Sequence, residues 1–305
     1  MDKILLVNPR GLCAGVDRAL RVLDAVLAHS SSTVYCRHGI VHNKKVVEEF
    51  EGKGVVFVEE IKDIPDGSVV VLSAHGTSPE VVEQAKQKHL KIVDSVCPLV
   101  TKVHMEAKKY SGDGYFVLYL GHKGHQEAIG VLGEVKGQSI LISTLEEAKH
   151  LEIPEKAVLL TQTTLSVDET KEIIDFLKKR WPNLVIPPGK DICFSTTNRQ
   201  WAVKELMKSS DFVLVVGSKT SSNSKRLQEV AGSKAHLVDG PEDLHDEWFQ
   251  GVRVVGITAG ASVPEKFIQP VVDAIQKQYG GVIEELTVLE EHVSFPNLPK
   301  EIESL

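Results

Sequence analysis

The sequence predicts an α/β protein of three pseudo-symmetric α/β domains, with mainly parallel sheets around a central cavity. Three observations carry that prediction. An apolar run, a break and a cysteine ahead of a helical pattern occur three times, at Cys13, Cys97 and Cys193. These cysteines are spaced by roughly one small α/β domain each. Between them lie units of a second kind, two after each cysteine: an apolar run, a short polar loop, then a helical pattern. The apolar runs are continuous, as in parallel strands buried on both faces, and their alternation with helices suits a doubly wound sheet.

In order, "MDKILLVN" reads as a strand, Pro9-Arg10-Gly11 breaks it, and Cys13 stands where a helix begins. A thiol there feels the positive helix end, which favours thiolate. "TVYCRHGIVHNKKVVEEF" and "VVVLSAHGTSPEVVEQA" are the first two strand–loop–helix units. Cys36 lies inside the first of these runs, has no counterpart elsewhere and reads as structural. "LKIVDSVCPLVTKVHMEAKKY" repeats the cysteine pattern, followed by "FVLYLGHKGHQEAIGVL" and "AVLLTQTTLSVDETKEIIDFL". "LVIPPGKDICFSTTNRQWAVKELMK" repeats it again, followed by "FVLVVGSKTSSNSKRLQEVA" and "VVGITAGASVPEKFIQPVVDAI". The expected domains are 1–96, 97–192 and 193–280, with a C-terminal tail over 281–305.

Composition narrows the function. At 42% hydrophobic and 25% charged, the 305 residues match an ordinary soluble globular protein. A net charge of −7 argues against non-specific binding to nucleic acid or an acidic membrane. No apolar run approaches the ~20 residues of a membrane-spanning helix. The N-terminal stretch is too short for a signal peptide, so a cytoplasmic protein is expected. None of the four cysteines forms a CxxC pair, which removes the zinc-ribbon and thioredoxin-like readings, and a reducing compartment disfavours disulfides.

Ligands of parallel α/β sheets bind at the carboxyl ends of strands, where these loops sit. The loops offer His42-Asn43 and His75-Gly76-Thr77-Ser78, then His122, His125, Glu127 and Thr163-Thr164, then Ser221-Ser222-Asn223 and Ser262. For any one loop, ordinary helix capping accounts for the residues. Together, hydroxyls, amides and imidazoles at helix N-termini describe an anion site, most simply for a phosphate or diphosphate. Three cysteines can bind zinc or three irons of a [4Fe–4S] cluster, and spacing leaves both open.

The segments "PRGLCAGVDRA", "VHNKKVV", "SAHGTS", "DSVCPLVTKVH", "GHKGHQEAIG", "TQTTLSVDET", "DICFSTTNRQ", "SSNSKRL" and "ITAGASVPE" run in order from residue 9 to 265. In these the chain resembles the 4-hydroxy-3-methylbut-2-enyl diphosphate reductase family. The resemblance implies that Cys13, Cys97 and Cys193 ligate one [4Fe–4S] cluster with one open iron. It implies diphosphate binding by His42, His75, His125, Thr163, Thr164, Ser221, Ser222, Asn223 and Ser262. Glu127 is the implied proton donor, acting directly or through Thr164. The implied reaction is reductive dehydroxylation of an allylic diphosphate, the last step of the methylerythritol phosphate route to isoprenoids. No GxGxxG fingerprint follows the first strand, so electrons are expected from a partner protein, which the resemblance implies to be a ferredoxin or flavodoxin. Lys44, Lys45 and Arg199 are surface bases that could face such an acidic carrier, although a solvated charged face is the plainer reading. Two other classes compete: a non-catalytic diphosphate- or nucleotide-binding protein with structural cysteines, and a zinc hydrolase with Glu127 as general base.

Overall fold

In a computed structural model of the chain, which describes residues 1–189 and 191–305, the apolar runs become strands and the periodic runs become helices. β1 (Lys3–Asn8) leads through Cys13 into α1 (Ala14–His29), followed by β2 (Val34–Arg37), α2 (Lys44–Gly52) and β3 (Val56–Val58). β4 (Val69–Leu72), α3 (Pro79–Gln87) and β5 (Lys91–Asp94) come next, and Cys97 then opens α4 (Pro98–Gly112). β6 (Phe116–Leu120), α5 (Gln126–Gly133), β7 (Ser139–Ile142), α6 (Leu145–Lys149), β8 (Ala157–Thr161) and α7 (Val167–Arg180) follow. Cys193 opens α8 (Phe194–Met207), succeeded by β9 (Phe212–Val216), α9 (Ser222–Ala231) and β10 (Ala235–Val238). β11 (Val254–Ala259), α10 (Glu265–Tyr279) and β12 (Val282–Thr287) complete the order.

The chain divides into two compact units. One comprises Met1–Asp17, His42–Glu49 and Phe194–Ser294. Its sheet has the order β10-β9-β11-β1-β12, with every pairing parallel. Alternate residues of β1 enter opposite cores. Ile4 and Leu6 pack with Leu214, Ile257 and the α10 residues Ile268, Val271 and Ile275. Leu5 and Val7 pack with Val213, Val215 and the α8 residues Ala202, Val203 and Leu206. Both faces are covered, which is why the strand text is continuously apolar. The stretch expected as a tail from residue 281 begins as the strand β12. It lies at the sheet edge, with Ile283 against one core and Leu286 against the other, and its charges are paired: Glu284 with Lys3 (2.7 Å) and Glu285 with Arg10 (2.9 Å).

The other unit comprises Arg18–Val41, Phe50–Cys193 and Phe295–Leu305. It holds two parallel sheets, β3-β2-β4-β5 and β7-β6-β8, the second extended by a parallel bridge between Val158 and Val185. The same order therefore recurs in all three sheets. An outer strand is followed by the strands of the first and second loop units, then by the segment leading to a cysteine. β5 leads to Cys97, the Val185 segment to Cys193, and β1 completes the sheet of β9 and β11 on its way to Cys13. Among the described residues no helix is long and apolar enough to cross a membrane.

Candidate active site

Each of Cys13, Cys97 and Cys193 stands directly ahead of a helix, and each donates its backbone N–H to the loop after the neighbouring strand. Cys13 donates to the Ala261 carbonyl (3.0 Å), Cys97 to Ala74 (3.1 Å) and Cys193 to Thr163 (3.0 Å). Parallel neighbours run the same way, so strand ends and loops rise together, and each cysteine is set beside candidate ligands: Ser262, His75 or Thr163-Thr164. The three thiols are half-buried. Cys36 is fully buried, and burial pushes its thiol far above the ordinary range, as suits a core residue.

Around Cys97 and Cys193 the site residues form a continuous chain of contacts. The rings of His75, beside Ala74, and His125 meet edge-on with centroids 6.1 Å apart. His125 caps α5, its Nδ1 accepting the Glu127 N–H at 3.2 Å. Glu127 is 2% exposed, and its carboxylate accepts the N–H (2.7 Å) and hydroxyl (2.8 Å) of Thr163. Burial raises this carboxyl to about 7; the Thr163 hydrogen bonds oppose the rise and the Asp191 charge adds to it. Such a group holds its proton near neutrality yet can release it. Asp191 is itself held by Lys102 (2.7 Å) and by the Thr161 N–H (2.9 Å). Thr164 Oγ1 accepts from Gln162 Nε2 (2.9 Å), and Gln162 Oε1 accepts the His122 N–H (2.9 Å). This fully buried glutamine ties the loops after β6 and β8 together.

Around Cys13 the other unit gathers His42, Ser221, Ser222, Asn223 and Ser262. Ser262 Oγ donates to the His42 carbonyl (3.2 Å). Asn223 Oδ1 accepts the Ala261 N–H (2.8 Å), so one residue, Ala261, links Asn223 to Cys13 through its N–H and its carbonyl. Ser221 caps α9 by accepting the Ser224 N–H (3.2 Å), and Ser222 begins that helix. Capping does not compete with anion binding here, because an accepting hydroxyl keeps its own proton to donate. A Cβ on Gly217 or Gly260 would strike the Ser224 hydroxyl, so glycine lets the loops after β9 and β11 approach this closely.

Arg199 departs from the surface reading. Lys44 and Lys45 pair with Glu48 (3.5 Å) and Glu242 (3.0 Å), but Arg199 is 1% exposed. Its guanidinium donates to the carbonyls of Gly11 (2.9 Å), Ser195 (3.1 Å) and Leu12 (3.3 Å) and pairs with Glu291 (3.0 Å). α8 is covered by its own sheet, so this charge is satisfied internally. Sequence reasoning also passed over Gln162 and Asp191; the run of polar residues "TQTT" after a continuous apolar strand was the available signal for Gln162.

Among the described residues no group of three or more His, Cys, Asp and Glu side chains is arranged to hold a metal ion. The donor chemistry nonetheless suits an iron–sulfur group: three half-buried thiols at topologically equivalent places, set apart from one buried thiol.

The family model described as LytB protein matches residues 4–276. A curated 4-hydroxy-3-methylbut-2-enyl diphosphate reductase of Haemophilus influenzae (strain PittGG) is 46% identical, covering 98% of each chain. A solved E-1-hydroxy-2-methyl-but-2-enyl-4-diphosphate reductase from Plasmodium falciparum matches with TM-score 0.95 at 34% identity, covering 100% of this chain and 98% of that one. A solved (E)-4-hydroxy-3-methyl-but-2-enyl diphosphate reductase, described as the terminal enzyme of the non-mevalonate pathway, matches with TM-score 0.64 at 33% identity, covering 91% of this chain and 100% of that one. Matched over nearly its whole length, the chain belongs to the LytB family, the iron–sulfur 4-hydroxy-3-methylbut-2-enyl diphosphate reductases.

Proposed function

We propose that the chain removes the allylic hydroxyl of (E)-4-hydroxy-3-methylbut-2-enyl diphosphate. Two electrons and two protons are consumed, one proton leaving with the hydroxyl as water and the other going to the allyl fragment. Isopentenyl and dimethylallyl diphosphates are the products. The observation that carries this reading is the junction at Thr163, whose carbonyl takes the Cys193 N–H while its N–H and hydroxyl hold Glu127.

A [4Fe–4S] cluster held by Cys13, Cys97 and Cys193, with one iron lacking a protein ligand, would supply electrons and Lewis acidity. Glu127 supplies the proton for the leaving hydroxyl, directly or through Thr164. Gln162 donates to Thr164 Oγ1, which leaves the Thr164 proton directed elsewhere. Once Glu127 is protonated, the Thr163 hydroxyl no longer has to donate to it and can turn to the substrate. His42, His75, His125, Thr163, Thr164, Ser221, Ser222, Asn223 and Ser262 hold the diphosphate. Helix N-termini add unpaired N–H groups to these side chains, and anchoring the charged tail orients the reacting end. In the same reading the domains run 1–96, 97–192 and 193–280 with a tail from 281, β1 and β12 being lent to the third sheet. Electrons come from a ferredoxin or flavodoxin, and the protein works in the cytoplasm.

Anaerobic purification with a visible spectrum and iron and sulfide analysis tests this on wild type and Cys97→Ser. Brown wild-type protein with about four irons per chain, bleached or unstable in the variant, is expected. A wild type that stays colourless after anaerobic reconstitution would reject the reductase and favour the binding protein or the zinc enzyme.

A further inference from the structure

Each cysteine is followed, five or six residues later on its own helix, by a cation: Arg18 after Cys13, Lys102 after Cys97 and Arg199 after Cys193. Helical side chains lean back toward the helix N-terminus, so a long cation in the second turn can reach the strand ends beside it. In all three places it does so, and its target is the approach to a different cysteine.

Arg18 donates to the carbonyl of Val96, the residue before Cys97, at 3.1 Å. Lys102 pairs at 2.7 Å with Asp191, two residues before Cys193, and Asp191 in turn accepts the Thr161 N–H. Arg199 donates to the carbonyls of Gly11 and Leu12, the two residues before Cys13. The assignments are cyclic in sequence. The helix after the first cysteine grips the approach to the second, the helix after the second grips the approach to the third, and the helix after the third grips the approach to the first. The C-terminal segment reinforces two of the three, through the Asn297 carbonyl on Arg18 (3.1 Å) and the Glu291 carboxylate on Arg199 (3.0 Å).

We propose that Arg18, Lys102 and Arg199 are positioning residues that set the three cysteine turns for the cluster, Arg18 being braced by the Asn297 carbonyl and Arg199 by the Glu291 carboxylate. The proposal rests on the reading that these cysteines hold the cluster. Each turn's approach must be set before its thiol can serve as a ligand, and nothing in the local sequence of that turn does so; a cation from another cysteine's helix does. Groups that orient metal ligands in this way typically alter metal retention roughly 10- to 100-fold when removed.

The test uses the full chain, reconstituted anaerobically with iron and sulfide, then exposed to a ferrous chelator while the visible band is followed. Arg18→Met, Lys102→Met and Glu291→Gln are compared with wild type, with Lys102→Arg as the conservative rescue and Leu177→Ala, a core truncation in α7, as a control for general destabilisation. Melting of the iron-free proteins is measured alongside. The expected result is bleaching roughly tenfold or more faster in Lys102→Met and Arg18→Met, near wild type in Lys102→Arg, and unaccelerated in Leu177→Ala despite its lower melting temperature. Bleaching at the wild-type rate in the loaded variants, or acceleration in Leu177→Ala to the same degree, would overturn the proposal while leaving the cluster reading intact. A wild type that takes up no iron overturns both.

Discussion

Glu127 is where burial and hydrogen bonding contend most directly. The unfolded chain titrates this carboxyl near 4.5 and the folded chain near 7, so folding binds the proton more tightly. Stability from this group is therefore fully present below about pH 4.5 and lost as pH rises through 7. Glu127→Gln removes that dependence. Between pH 4.5 and 8 the balance of stability should move toward the variant by on the order of 3 kcal/mol, measured by denaturant unfolding at each pH. In the proposed mechanism the same protonation governs activity. Wild-type turnover should fall as pH rises above about 7, while Glu127→Gln should lose about 100-fold or more at every pH. Thr163→Val removes one hydrogen bond that favours the ionised form, so its activity limb should move to higher pH; an unmoved limb would separate Glu127 from the proton step. The polar identities of these residues were legible in the loop text. The burial of Arg199 was not, because a charge at one position of a helix looks the same in sequence whether that face meets solvent or a strand end.

At the scale of elements, caps and close approaches set where the loops stand. Ser166 accepts the Glu169 N–H at 3.3 Å to start α7, and Ser166→Ala should cost about 1 kcal/mol in chemical unfolding. Gly260→Ala would press against the Ser224 hydroxyl, with an expected loss of about 1–3 kcal/mol. Adding Ser224→Ala should restore much of that loss; no recovery would mean that the backbone of Gly260 itself is the constraint. The strand–loop–helix units were readable because each joined a continuous apolar run to a capped periodic one. β3, β7, β10 and β12 were not, since short outer strands need little apolar text and β12 carries Glu284 and Glu285 on an exposed edge. Their existence depends on a neighbour to pair with, and no residue within them announces that neighbour.

Across the molecule, the recurrence of one strand order in three sheets explains why the cysteine repeat was visible in the text, while the partner of β1 was not. Pairing of Lys3–Leu6 with Val254–Ile257 leaves no local mark in either segment. Deleting residues 282–305 would open the β1 edge and remove Glu284, Glu285, Glu291 and Asn297 from their cationic partners. The truncated chain should melt lower and scatter light on heating, as expected for an unpaired edge strand. Unchanged melting and scattering would mean that the preceding sheet closes without its last strand.

The place of β1 also imposes an order on synthesis. Strands β2 to β8 find their sheet partners within the first 161 residues, so their sheets can form while the rest of the chain is still being translated. β1, made first, pairs only with β11 and β12, made last. Cys13 therefore waits on an unpartnered strand through nearly all of elongation, and its backbone acquires the Ala261 carbonyl only after the third sheet exists. With Cys13 as one of the proposed cluster ligands, delivery of iron and sulfide becomes an event of the finished polypeptide, and a ribosome-bound nascent chain stalled before residue 254 should be unable to mature.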